Sequence, residues 1–197
     1  MVGLLCARSA SAEEPSSPRA ELDFLQYGAA FTAESQTRSG GICPSGARER
    51  CILGSGGGFV VRVGHRSQEG WFLGGAYEFS KHDSANLLNL GILQQLRAEA
   101  RRYLVRGSRF APYVLGSLGA ASYGNEWAVE TYGFATALGI GIEYESTREV
   151  FVGLAPAYRA IWLRSWQDKA GQERNGGVAH FIGLELTLEV RSAFARW

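Results

Sequence analysis

From Val178 to Val190 the chain alternates with a period of two. Val178, His180, Ile182, Leu184, Leu186, Leu188 and Val190 occupy one face, and none of them is acidic or a Lys or Arg. Ala179, Phe181, Gly183, Glu185, Thr187 and Glu189 occupy the other. Such alternation makes a strand with two unlike faces, whereas a helix would spread the apolar residues around its axis. Seven more segments read the same way: 21–32, 58–65, 71–81, 92–105, 110–123, 132–144 and 149–162. The clearest is 132–144, where Phe134, Leu138, Ile140, Ile142 and Tyr144 oppose Ala135, Ala137, Gly139, Gly141 and Glu143. The least clear is 92–105, ILQQLRAEARRYLV, rich in good helix formers. Its Leu96, Ala98, Ala100 and Leu104 also alternate with Arg97, Glu99, Arg101 and Tyr103, and its neighbours are strands, so a strand is expected. Arg102 falls on the apolar face near the strand end, where a long side chain can reach an interface. Pro156 cannot donate to a ladder, and a bulge is expected there.

The connections alternate too. After the second, fourth and sixth strands they are tight turns; after the others they are longer and polar. This asymmetry fits an all-β, eight-stranded antiparallel up-and-down barrel with one loop-rich end. Which face looks inward decides between a soluble and a transmembrane barrel. The polar faces carry Arg62, Glu78, Arg97, Glu99, Arg101, Glu143, Arg159, Glu185 and Glu189, a nearly balanced set. Gly139, Gly141, Gly153 and Ala155 share those faces and suit a crowded interior. Charges paired in a narrow lumen, with the apolar face in lipid, satisfy both faces at once. Aromatic residues near the strand ends (Trp71, Tyr103, Tyr113 and Tyr144 on the turn side; Tyr77, Tyr123, Tyr132 and Trp162 on the loop side) are expected to form two interfacial girdles.

Composition agrees. The chain has 197 residues, so one barrel domain at 21–197 follows a leader remnant and polar linker at 1–20. Ala10-Ser11-Ala12 resembles a signal-peptidase site, and Glu13–Ala20 is a Pro/Ser-rich linker. Cys6 lacks the small preceding residue that a lipoprotein signal needs. The 26 glycines and 12% aromatics fit a β chain. Formal charge of +1 argues against a nucleic-acid partner. No apolar run reaches the roughly 18–20 residues of a membrane helix, a test blind to barrels.

The residues just read carry a resemblance. The chain is similar to the small OmpA-like and OmpX-like outer-membrane barrels over residues 21–197. The segment AEARRYLVRGSRFAPYVLGSLGAASYG, 98–124, is similar to that family's succession of strand, short turn, Pro-Tyr and glycine-rich strand. The aromatic C-terminus, with Phe194 and Trp197, is similar to an outer-membrane assembly signal. The resemblance implies a bacterial outer-membrane protein with both termini periplasmic. It also implies lipid and lipopolysaccharide surroundings, and a structural, anchoring or surface-interaction role through outer loops 33–57 and 163–177. A protein partner would meet those loops or the periplasmic N-terminal segment.

Candidate chemistry adds little. Cys43 and Cys51 close a small loop and are expected to form a disulfide in an oxidising compartment; neither they nor any other cluster suggests a metal site. Gly54–Gly58 lacks the Lys-Ser/Thr of a phosphate loop. His65-Arg66-Ser67 is similar in spacing to a motif of outer-membrane lipid A deacylases but has no matching carboxylate. No cofactor and no catalytic constellation are expected. The alternatives are a lipid-modifying barrel enzyme and a soluble lipocalin-like ligand-binding barrel.

Overall fold

The computed structural model describes residues 23–43, 51–86, 88–167, 171 and 173–193. The leader reading at 1–20, the aromatic terminus Phe194 and Trp197, and residues 44–50 lie outside these. The described strands are β1 (Phe24–Arg38), β2 (Gly56–Arg66), β3 (Trp71–His82), β4 (Gly91–Tyr103), β5 (Phe110–Asn125), β6 (Thr131–Glu145), β7 (Val150–Leu163), β8 (Trp166–Gln167), β9 (Glu173–Arg174) and β10 (Gly177–Ala193). Eight of them close a barrel in the order β1-β10-β7-β6-β5-β4-β3-β2, every neighbouring pair antiparallel. The protein is therefore an all-β, up-and-down barrel in which first and last strands pair, from Phe24 opposite Ala193 to Arg38 opposite His180. Closure removes the edges that an open sheet would leave unsatisfied.

The apolar faces point outward. Ile140 is 62% exposed, Leu184 46% and Val152 39%, while Glu189 is 1% exposed and Arg159 1%. A soluble barrel would bury the first three and hydrate the last two. A continuous apolar outer wall and a buried ionic interior are what a lipid environment demands. The eight barrel strands, from 11 to 17 residues, are long enough for the roughly 9–11 that a tilted strand needs to cross the hydrocarbon. The chain is thus a transmembrane β-barrel.

Several boundaries differ from the sequence reading. β1 starts at Phe24 rather than at residue 21, and runs on to Arg38 through residues expected to be loop. Residues 33–38 are polar or small, so hydrophobicity alone does not mark them as strand. They continue the ladder to β10, with Ala33 opposite Leu184 and Ser35 opposite Ile182, and Ala33 and Glu34 also pair with β2. The ambiguous 92–105 segment is the strand β4, where closure on both sides outweighs helix propensity. Pro156 makes no register shift. The β6–β7 pairing stops after Gly139–Ala157 and resumes at Ile142–Leu154 in the same register, the gap expected where the N–H is missing. The bulge lies instead in β1, between Gln36 and Arg38. The loop between β7 and β10 carries a small hairpin, β8–β9, with Trp166 opposite Arg174.

The expected girdles are partly corrected. Tyr103, Tyr113 and Tyr123 point inward and are buried, because odd positions of β4 and β5 face the lumen. Trp71, Tyr132, Tyr144 and Trp162 do face outward, joined by Phe134 and Tyr158. Arg102 is on the outer face as expected. It turns toward the tight β2–β3 turn, with its guanidinium 5.1 Å from the Trp71 ring and donating to the Glu69 carbonyl.

Candidate functional site

Among the described residues, chemistry-bearing side chains converge in the lumen. It is stacked in three layers along the axis. At the turn end, Phe72, Tyr103 and Tyr113 form an aromatic floor with Ala111 and Ala155. The ring of Tyr113 lies so near Gly141 that a Cβ there would sit 2.3 Å from it, which is why the facing strand is glycine-rich at this level. Arg66 stacks over Tyr103 with its guanidinium carbon 3.5 Å from the ring centroid, and Arg101 lies 4.9 Å from that of Phe72.

The middle layer is ionic. All nine charged residues expected to face the lumen do so: Arg62, Glu78, Arg97, Glu99, Arg101, Glu143, Arg159, Glu185 and Glu189 are buried and paired. In the half nearer the turns, Glu189 receives Arg62 at 3.0 Å and Arg101 at 2.9 Å. Arg101 also reaches Glu99 at 2.7 Å. In the other half, Arg159 reaches Glu34 at 2.5 Å and Glu78 at 2.6 Å, and donates to Glu185 as well. Arg97 lies 2.9 Å from Glu78 as an ion pair that misses hydrogen-bond alignment. Arg62 links the halves through Glu185 at 2.5 Å.

Three members went unread in the sequence. Glu34 sits in the polar stretch taken for loop. Arg66 lies just past the expected end of β2, and pairs with Glu143 at 2.6 Å. His82 lies just past the expected end of β3. Each was visible by continuing the alternation one or two residues beyond the expected strand end. Gln26 completes the set, donating to Glu143 at 2.9 Å and also to Glu189. The carboxylates Glu34, Glu78, Glu99, Glu143, Glu185 and Glu189 thus face the guanidiniums Arg62, Arg66, Arg97, Arg101 and Arg159. His82, 3.1 Å from Glu34, supplies a sixth cation when its ring carries both protons. Near-neutrality is the condition under which so many buried charges can be tolerated.

The third layer is an apolar stopper at the loop end. The β1–β2 connection inserts Ile42, Ile52 and Leu53 between Leu93, Tyr123, Ile161, Leu163, Trp166 and Phe181. The Cys43–Cys51 disulfide forms as expected, and it joins the two arms from which these side chains project. Polar bonds hold the stopper down: Gln36 donates to the Leu53 carbonyl at 2.5 Å and Tyr123 to that of Ile52. His82 joins stopper and network, its Nδ1 2.8 Å from the Gly54 carbonyl oxygen and its ring edge-on to Phe181.

Ser80 Oγ lies 3.1 Å from His82 Nε2, and Glu34 approaches that same nitrogen. A hydrolytic relay needs serine and carboxylate on opposite ring nitrogens. Here the opposite nitrogen meets a carbonyl, so the cluster is built to brace. His65 is exposed near the turns, with a carboxylate oxygen of Asp23 at 3.9 Å. Ser67 hydrogen-bonds within its own turn, to the Trp71 N–H.

An eight-stranded barrel with a lipid-facing apolar wall, an ion-paired interior and one loop-rich end defines the class of small outer-membrane barrels by its fold. Solved structures of that class share it. The outer membrane protein OprG from Pseudomonas aeruginosa aligns with TM-score 0.54 at 14% identity, over 87% of this chain and 96% of that one. The outer membrane protein AlkL, solved in lipid bilayers, aligns with TM-score 0.53 at 11% identity, over 100% of this chain and 99% of that one. At such identities the likeness is one of fold. No protein-family model matches the chain, and no curated protein matches it.

Proposed function

We propose that the protein is a bacterial outer-membrane barrel that anchors and displays its loop end, acting by structural support or surface interaction rather than by transport or catalysis. The observation that carries this reading is the filled lumen. The aromatic floor, the ion-paired middle and the disulfide-tied stopper occupy the interior in series, and eight strands enclose only enough space for side chains. Binding surface is then found outside the tube, on the exposed parts of the loops between β1 and β2 and between β7 and β10. The tight turns face the periplasm in this reading, with both termini beside them, and lipopolysaccharide surrounds the loop end.

Two measurements test it. Reconstituted in a planar bilayer, the purified barrel is expected to show no steady ionic conductance; a stable open channel in most insertions would replace the anchoring role with a conducting one. A single cysteine placed at Gly171, in a Cys43→Ser/Cys51→Ser background, is expected to react with a membrane-impermeant maleimide on intact cells. Labelling only after lysis reverses the orientation.

A further inference from the structure

The outer wall carries one feature that an inert lipid-facing surface does not need. Even-numbered residues of β1 face the interior at Thr32, Glu34 and Gln36. Strict alternation would send Arg38 inward as well, adding an unpaired cation to the stopper layer. The bulge prevents this. Gln36 stands opposite Phe181, Thr37 is the extra residue, and Arg38 stands opposite His180. Arg38 is thereby exposed on the outer face, the re-aiming for which bulges are used. The Thr37 hydroxyl pins the bulge by donating to the His180 carbonyl at 3.1 Å.

The neighbouring strand is prepared for the same spot. His180 continues the outward row of Ile182 and Leu184 on β10. Its ring stacks on Tyr158 of β7, and Tyr158 Oη lies 2.5 Å from His180 Nδ1. With the tyrosine hydroxyl donating to Nδ1, the neutral ring carries its proton on Nε2, which remains a free donor. Among the described residues Arg38 has no hydrogen-bond or ion-pair partner. No carboxylate lies on the outward faces of β1, β10, β7 or β6 among the described residues. Trp162, one ladder step away on β7, marks the headgroup level. Below it the wall is aliphatic through Ile182 and Leu184.

We propose that Arg38 and His180, oriented by Tyr158 and the β1 bulge, form a docking site for the phosphate of a lipid in the leaflet at the loop-bearing end, its acyl chains lying along Ile182 and Leu184. The chemistry points to that occupant. A guanidinium and an imidazole N–H, with no acid on the neighbouring outward strand faces among the described residues, select an anion, and the aliphatic wall directly beneath selects one that carries hydrocarbon. The site rests on the membrane reading above.

The test uses the whole protein in phosphatidylcholine nanodiscs containing a minor fraction of phosphatidic acid with the same acyl chains. Lipids retained after release are counted by native mass spectrometry. Wild-type protein is expected to retain phosphatidic acid in preference to phosphatidylcholine. Arg38→Ser with His180→Leu is expected to lower that preference by about tenfold, the loss of one charge-assisted hydrogen bond net of solvation. Arg38→Lys keeps most of the preference, and Arg109→Ser at the turn end keeps all of it. An unchanged preference in the double variant overturns the site, as does an equal loss in Arg109→Ser or displacement of bound lipid by millimolar inorganic phosphate. Heat-modifiable gel mobility, measured on every variant, reports barrel formation. Failure of wild type there would sink the membrane reading itself, not merely the docking site.

Discussion

Arg159 is in ion-pair range of Glu34, Glu78 and Glu185 together, reaching carboxylates from three different strands. Its removal takes a guanidinium from all three in a buried layer, leaving Glu34 to His82, Glu78 to Arg97 and Glu185 to Arg62 and Arg97, and the cost of breaking such a set is about 3–5 kcal/mol. Arg159→Leu is therefore expected to lower the urea midpoint of the folded barrel sharply, read by loss of heat-modifiable mobility. An unchanged midpoint would mean that water already enters this layer. The nine charges first read from the alternation are all present in this interior. The unread ones, Glu34, Arg66 and His82, fall where the outward partner row stops being greasy. Hydrophobic contrast is the signal, and it fades where a strand's outward row turns small or polar, as at Ala33 and Ser35, His65 and Lys81. The inward row continues regardless, because pairing to a neighbour dictates it. Nothing in the one-dimensional pattern shows which acid meets which base; that depends on stagger between strands far apart in the chain.

Among the elements, the eight strands of the barrel were legible because a lipid-facing wall enforces a strict period of two. The segment 92–105 shows the limit: its composition favours a helix, and only pairing with β3 and β5 settles it as β4. The stopper was not legible. Ile42, Ile52 and Leu53 lie in a glycine-rich polar stretch, without periodicity to show that they fold back into the mouth. The cysteines were the available clue, since a short tether brings the arms of that stretch together. Closing a loop of this size restricts the open chain by about 2–3 kcal/mol. Cys43→Ser is expected to leave heat-modifiable mobility intact while making the β1–β2 loop several-fold more sensitive to proteolysis. Loss of the barrel itself would show that the stopper is needed for assembly. The β1 bulge was likewise hidden, being set by how Thr37 and His180 meet across the closing seam.

For the whole molecule, sidedness is the decisive property. Leu184 belongs to the outward row, and its neighbour Glu185 to the inward one. Leu184→Arg is expected to cost about 2–4 kcal/mol if the residue sits near the bilayer midplane, seen as weaker folding into lipid vesicles. A neutral result would move the membrane boundary along the strand. The way the ring closes also has a bearing on biogenesis. β10 is the only bridge between β1 and β7. Until it emerges, residues 24–38 and 150–163 present two bare ladders with nothing to bind but other chains. Any fragment stopping before Gly177 lacks the strand that closes the ring, and is expected to aggregate rather than insert.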